Sequence, residues 1–320
     1  MAGRRDWLWT LALAVAACST GPDTANDPEQ ARVVAGDVAR FWAAVDAGAT
    51  PTDFQRLYLD QASPALERFA GQRGVTAISL SNMLQAFPRY LSAARPALSA
   101  LETEVEGVRR HYRAMAALYP EAVFPTVTLV VGRFSTAGTI GPDGIVIGAE
   151  FFGAGPGVPT DELAEFQAAN AREPGEMLVV VAHEHVHVLQ AERGGLLGNA
   201  RTLLEQALLE GSADFVAELV TGENLNAGLF EYGLTHEAAL WAEFQSAMSG
   251  TDVSGWLYNQ GAVRPDDRPG DLGYFVGYRI VEAYYRRAAD RRRALREIIE
   301  VDDATALLTA SGYDGSVPPA

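Results

Sequence analysis

The sequence predicts an α+β fold, mostly helical, in which a small β-hairpin or sheet precedes one central buried helix. Three observations carry this. Helical patterns of apolar residues run through most of 31–119 and again beyond residue 200. Between Pro125 and Gly153 they give way to short β-rich runs broken by glycine. The run Val179–Leu189 is apolar on nearly every side and holds three of the chain's five histidines.

At the N-terminus Arg4 and Arg5 precede an apolar run from Trp7 to Ala17, too short for a membrane span. It ends in Val15-Ala16-Ala17-Cys18, which resembles a bacterial lipobox. On that resemblance residues 1–17 are a signal peptide and Cys18 becomes the lipidated first residue. Ser19 then points to the outer membrane, facing the periplasm of a Gram-negative bacterium. An ordinary secretory signal is the alternative. Cys18 is the chain's one cysteine, so once it is lipidated no disulfide is available. Polar residues 18–30 read as a tether. The net charge of −16, with 25 basic residues that are all arginine, argues against nucleic acid as a partner.

Residues 31–120 form an N-terminal helical region, with patterns over 31–47, 51–73 and 80–119. Pro51 after Thr50 suits a helix start and Gly74 a stop. His111, beside Arg109 and Arg110, reads as a surface residue. Residues 121–320 form the region that carries the chemistry, integrated with the first. Thr126–Val131 and Ile145–Glu150 read as two strands joined through the turn Gly141-Pro142-Asp143-Gly144. Such a hairpin can either cover the core or offer an edge to an extended peptide.

His183, Glu184 and His187 spell H-E-x-x-H. On a helix, positions four apart lie about 40° apart around the axis, so two imidazoles can chelate one Zn²⁺ and the adjacent Glu can reach a water. Pro174-Gly175 and Gly194-Gly195 frame a helix-length segment. A strand would instead align His183, His185 and His187 as a three-histidine site, but Met177–Leu189 is long for a strand. On the helix His185 lies about 200° from His183 and is no ligand. Glu210 follows His187 by 23 residues, room for a turn and a returning helix. It can complete a His₂Glu site with one open position, and Asp214, one turn on, can orient a ligand histidine.

Downstream, that second helix runs to Val220 with Gly222 as its cap. Thr235 is expected to cap a helix to Met248, placing His236 in its first turn. A further helix spans 271–288. Its pairs Gly273-Tyr274 and Gly277-Tyr278 put two glycines where a neighbouring helix can approach and two tyrosines on one face. Tyr278, Tyr274 and His236 are the candidates for steadying an oxyanion. Arg286, Arg287, Arg291, Arg292, Arg293 and Arg296 read as a solvated face.

Four stretches, 127–153 (with IGAEFFG), 183–190, 208–215 (LLEGSADF) and 268–278 (RPGDLGYFVGY), resemble a family of predicted zinc-dependent peptidases. That family includes lipoproteins related to a gliding-motility lipoprotein. Glu210–Asp214, as E-x-x-x-D, is also similar to the gluzincin pattern of thermolysin-type peptidases. The resemblance implies a zincin-like domain with His183, His187 and Glu210 as zinc ligands, Glu184 as base and Asp214 behind the ligands. No tyrosine stands between His187 and Glu210, where thermolysin-type enzymes carry an oxyanion residue. The expected function is a lipid-anchored zinc metallopeptidase acting on a peptide or protein. The alternative is an envelope-assembly or motility lipoprotein that works by partner binding around a structural or relic zinc site.

Overall fold

The computed structural model describes residues 24–259 and 268–317. Cys18 and the signal segment lie outside them. The fold is mostly helical with two small sheets, as the α+β reading predicts. Two compact units divide the chain, the division falling after Glu192 and again after Phe215 and Leu225.

The first unit holds 24–192 and Val216–Leu225. It begins with strands β1 (Thr24–Ala25) and β2 (Val33–Val34). Six helices follow: α1 (Gly36–Ala47), α2 (Pro51–Leu57), α3 (Pro64–Arg73), α4 (Ala77–Ala86), α5 (Pro88–Ala100) and α6 (Val105–Leu118). The long helical patterns are thus cut at Ser63-Pro64 and Phe87-Pro88, because a residue before proline is pushed out of the helical region. Thr50, Ser63 and Thr76 accept from the third backbone N–H of α2, α3 and α4 and cap them. His111 is buried rather than exposed. It shares a helix face with Val108, Tyr112 and Met115, and burial lowers its pKa.

Strands β3 (Phe124–Pro125), β4 (Val127–Val130), β5 (Gly138–Gly141) and β6 (Gly144–Gly148) come next. β3 pairs antiparallel with β1, so the end of the polar 18–30 stretch is part of the fold. The other strands form one sheet in the order β2-β4-β6-β5. This corrects the expected hairpin. The two apolar runs are parallel neighbours, Val127 against Ile145, and the hairpin partner of β6 is β5. β5 escapes pattern reading because it is Gly-Thr-Ile-Gly, with no alternation of apolar side chains.

Tyr58 fixes the sheet to the helices: its hydroxyl donates to the Val131 carbonyl at 2.6 Å and accepts from the Val131 N–H at 2.8 Å. Glu150, expected at a strand end, lies in a 3-10 turn, fully buried. Its carboxylate accepts from the N–H groups of Gly132 (3.0 Å) and Phe134 (2.9 Å), holding the turn that leads back to β5. Phe134 is left-handed there, φ 58°. A short α7 (Glu165–Asn170) precedes the central helix α8 (Met177–Arg193).

The second unit holds Arg193–Phe215, 226–259 and 268–317. Helix α9 (Leu203–Thr221) begins in it, followed by α10 (Ala227–Ala247), α11 (Leu272–Arg287), α12 (Arg291–Ile299) and α13 (Ala304–Ser311). Helix α10 starts well before Thr235, whose hydroxyl donates back to the Glu231 carbonyl and caps nothing. Gly233 inside it is explained by packing, since a Cβ there would come within 2.6 Å of the Phe275 ring. The arginines form the solvated face expected of them, with Arg287, Arg291, Arg292, Arg293 and Arg296 exposed, while the other face of α12 buries Ala294, Leu295, Ile298 and Ile299. Among the described residues no helix is long and apolar enough to cross a membrane.

Candidate metal centre

The H-E-x-x-H segment is helical, which sets aside the strand alternative. Proline at 174 and the reciprocal Glu173–Glu176 capping pair open the turn that leads into α8. Gly194 and Gly195, at φ 81° and 90°, close it. Valines survive within the helix because its surroundings bury them, Val181 and Val186 completely.

His183 and His187 stack one turn apart, both buried, their rings edge to face with centroids 4.8 Å apart. Their Nε2 atoms face each other at 3.1 Å. His187 Nδ1 donates to the side-chain oxygen of Gln190 at 2.7 Å. That bond holds the proton on Nδ1 and leaves the Nε2 lone pair pointing at His183. Two imidazole nitrogens so placed need a proton or a cation between them.

His185 points elsewhere, as the helix requires. It is fully buried, its Nε2 donates to the Val123 carbonyl at 2.6 Å, and its ring packs on Tyr112 and Phe124. Burial pulls its pKa down to about 4, so it is a neutral core residue. Glu184 is half-buried and lies against the edge strand. A Cβ at Gly138 would come within 2.7 Å of Glu184 Oε1, so only glycine lets the carboxylate and the β5 backbone meet this closely.

Glu210 is buried on α9. Its Oε1 accepts from the Tyr258 hydroxyl at 2.8 Å; that hydroxyl also lies 3.1 Å from Gln206 Oε1. Tyr258 sits in left-handed backbone, φ 56°. Glycines set the neighbouring helix: a Cβ on Gly277 would fall 1.8 Å from the Ala207 carbonyl oxygen, and one on Gly211 would fall 2.1 Å from the Tyr278 nitrogen. The expectation that glycines on α11 admit a neighbour thus holds for Gly277 against α9. Gly273 instead meets Trp256 and Leu257.

His183, His187 and Glu210 form a buried group, each offering one ligand atom, and these atoms lie within 4.8 Å of one another. Two imidazoles and a carboxylate are the donor set of a three-ligand zinc site. With the facing Nε2 atoms and the tautomer fixed by Gln190, the residues present fit a divalent metal.

The remaining candidates are placed as follows. Asp214, buried one turn beyond Glu210, accepts from Asn226 Nδ2 at 2.7 Å. The Tyr274 hydroxyl is pushed well up in pKa by burial first, then by the charge of Glu210 and by its neighbours Tyr258, Asp271 and Asp214. Tyr278 is buried, with Phe215 and Phe230 edge-on to its ring. His236 is exposed on α10, stacked on Tyr232 and bonded through Nδ1 to the Tyr232 carbonyl. Sequence reasoning missed Gln190 and Tyr258. Gln190 was open to discovery, being three residues past His187 on the same helix face. Tyr258 lies in an irregular loop with no periodicity to mark it.

No curated protein and no solved structure gives a significant match to the chain. Residues 150–303, the stretch that carries His183, Glu184, His187, Glu210 and Asp214, match the model of a family described as predicted Zn-dependent protease (DUF2268).

Proposed function

We propose that the chain is a zinc-dependent metallopeptidase of zincin-like fold that hydrolyses peptide bonds. The observation that carries this is the buried group of His183 and His187 on α8 with Glu210 on α9, together with Glu184 of α8 lying against an edge strand. Zinc, when bound, supplies a Lewis acid that polarises the scissile carbonyl and acidifies water. The residues of the chain do the rest. Among the described residues β5 pairs only with β6, and its other edge can take an extended peptide through main-chain hydrogen bonds. Gly138 brings that edge against Glu184. Glu184 accepts the proton of the attacking water and passes it to the leaving amine. Gln190 holds His187 in the tautomer that offers Nε2, and Tyr258 holds Glu210. The oxyanion candidates are Tyr278, Tyr274 and His236, of which His236 is exposed on α10 and stacked on Tyr232.

The anchor at Cys18, the outer-membrane location and the kinship with gliding-motility lipoproteins rest on the sequence resemblances and belong to the same proposal. The deciding experiment is Glu184→Gln. The variant keeps about one zinc per chain by elemental analysis and loses at least about a hundredfold in peptide hydrolysis, the typical scale of general-base catalysis. Full activity in the variant rejects the mechanism.

A further inference from the structure

Arg73 stands out among the arginines of the first unit. Arg68, earlier on α3, pairs with Asp143 at 2.8 Å, Arg40 pairs with Asp37 at 2.7 Å, and Arg95 pairs with Asp46 at 2.6 Å. Arg73 closes α3 and forms no ion pair among the described residues. Its one side-chain hydrogen bond there is from Nη2 to Thr139 Oγ1, at 3.2 Å, on the edge strand β5. Its Nε is buried with no partner. Burial lowers the Arg73 pKa and the nearby Glu184 carboxylate opposes that, so the guanidinium is partly desolvated within the field of Glu184. A second cation stands behind it: Arg133 Nε donates to the Arg73 carbonyl at 3.0 Å, and it too has no carboxylate partner among the described residues. Among the described residues neither Arg73 nor Arg133 has the carboxylate partner that Arg68, Arg40 and Arg95 have. A desolvated charge is costly until it is paired, and guanidinium fits a carboxylate in two-pronged geometry.

The location gives that pairing a use. Adjacent residues on a strand face opposite sides, so Gly138 turns to Glu184 while Thr139 turns to Arg73. A peptide added to β5 has the same alternation. A side chain neighbouring the bond presented to Glu184 then projects toward Arg73. We propose that Arg73, with Arg133 behind it, selects peptides that carry a carboxylate next to the scissile bond, either on an acidic side chain or at the peptide's C-terminus. This rests on the peptidase reading of Glu184 and β5 and names the substrate class of that site.

The test uses full-length protein and matched peptides with Glu or Gln at each position, each with a free or amidated C-terminus. Cleavage is followed in the zinc-loaded protein, and binding is followed by fluorescence anisotropy in chelator. The wild type is expected to favour carboxylate-bearing peptides by about tenfold or more in kcat/KM and in binding, the scale of a hydrogen bond to a charged group. Arg73→Lys keeps part of the preference, Arg73→Gln abolishes it, and Arg73→Glu turns it toward Arg-bearing peptides. Loss of the preference on amidation identifies the C-terminus as the source, and its persistence identifies the side chain. Equal handling of Glu and Gln peptides by the wild type, or an unchanged preference in Arg73→Gln, overturns the proposal. If no peptide is cleaved yet acidic peptides bind in an Arg73-dependent way, the peptidase reading fails and the carboxylate site stands.

Discussion

Tyr258 places its hydroxyl 2.8 Å from Glu210 Oε1 while its own backbone is held at φ 56°. The hydroxyl has one proton, and the carboxylate is a stronger acceptor than the Gln206 amide oxygen at 3.1 Å. A bulky residue in left-handed backbone costs on the order of 1–3 kcal/mol, and such strain concentrates at functional sites. Tyr258→Phe keeps the ring and removes the bond. Zinc affinity, titrated against a competing chelator, should fall about 10–100-fold, the range for partners that orient a metal ligand. An unchanged affinity would show that Glu210 needs no such support.

His185 and Glu210 should respond in opposite ways to truncation. Glu210→Ala removes a member of the buried group and should lose zinc at moderate chelator strength, with little change in the folded baseline. His185→Ala leaves the group intact but strips a ring from between Tyr112 and Phe124 and orphans the Val123 carbonyl. It should keep wild-type zinc affinity and lose about 3 kcal/mol of stability in urea unfolding. Zinc loss in folded His185→Ala would reverse the assignment of ligands.

Glu150 makes stability depend on pH. Its backbone donors favour the carboxylate, but burial weighs more and pushes its pKa up to about 7. The folded chain therefore holds a proton on Glu150 that the unfolded chain, with an ordinary carboxyl near about pH 4.3, has released. The contribution is complete below the unfolded value and is lost as pH rises toward 7, by an amount on the order of 3 kcal/mol. Glu150→Gln carries no titrating proton. The gap in unfolding free energy between wild type and variant should therefore be larger at pH 5 than at pH 8. A gap that is flat with pH would place the Glu150 proton outside the folding equilibrium.

How much was legible follows from the range over which each feature is encoded. His183, Glu184 and His187 lie within one helical turn, so their spacing already states their geometry. The Glu210–Asp214 turn was readable for the same reason. β5 was not, because Gly138 and Gly141 contribute no side chain to a pattern, and its place beside β6 is a matter of pairing. His111 was misjudged from its arginine neighbours in sequence, when the residues that matter are Val108 and Met115 on its own helix face. Thr235 has the side chain of a cap, but the helix runs through it and through Gly233, where Phe275 occupies the missing side chain's space. Tyr258 and Arg73 act across long separations, at 48 residues to Glu210 and 66 to Thr139, which no local window can see.

At the crossing of α9 and α11, Gly211 and Gly277 let one backbone rest directly on the other. Glu210 is the residue next to Gly211, so its reach is set by main chain touching main chain rather than by yielding side chains. Such a joint has no slack. Side chains elsewhere along the two helices can be exchanged with local repacking, but a single methyl group at 277 would have to push α9 bodily away and carry Glu210 with it. The most sensitive control on the carboxylate's position is therefore an atom the chain omits, and Gly277→Ala is a change that no volume-matched substitution beside it could repair.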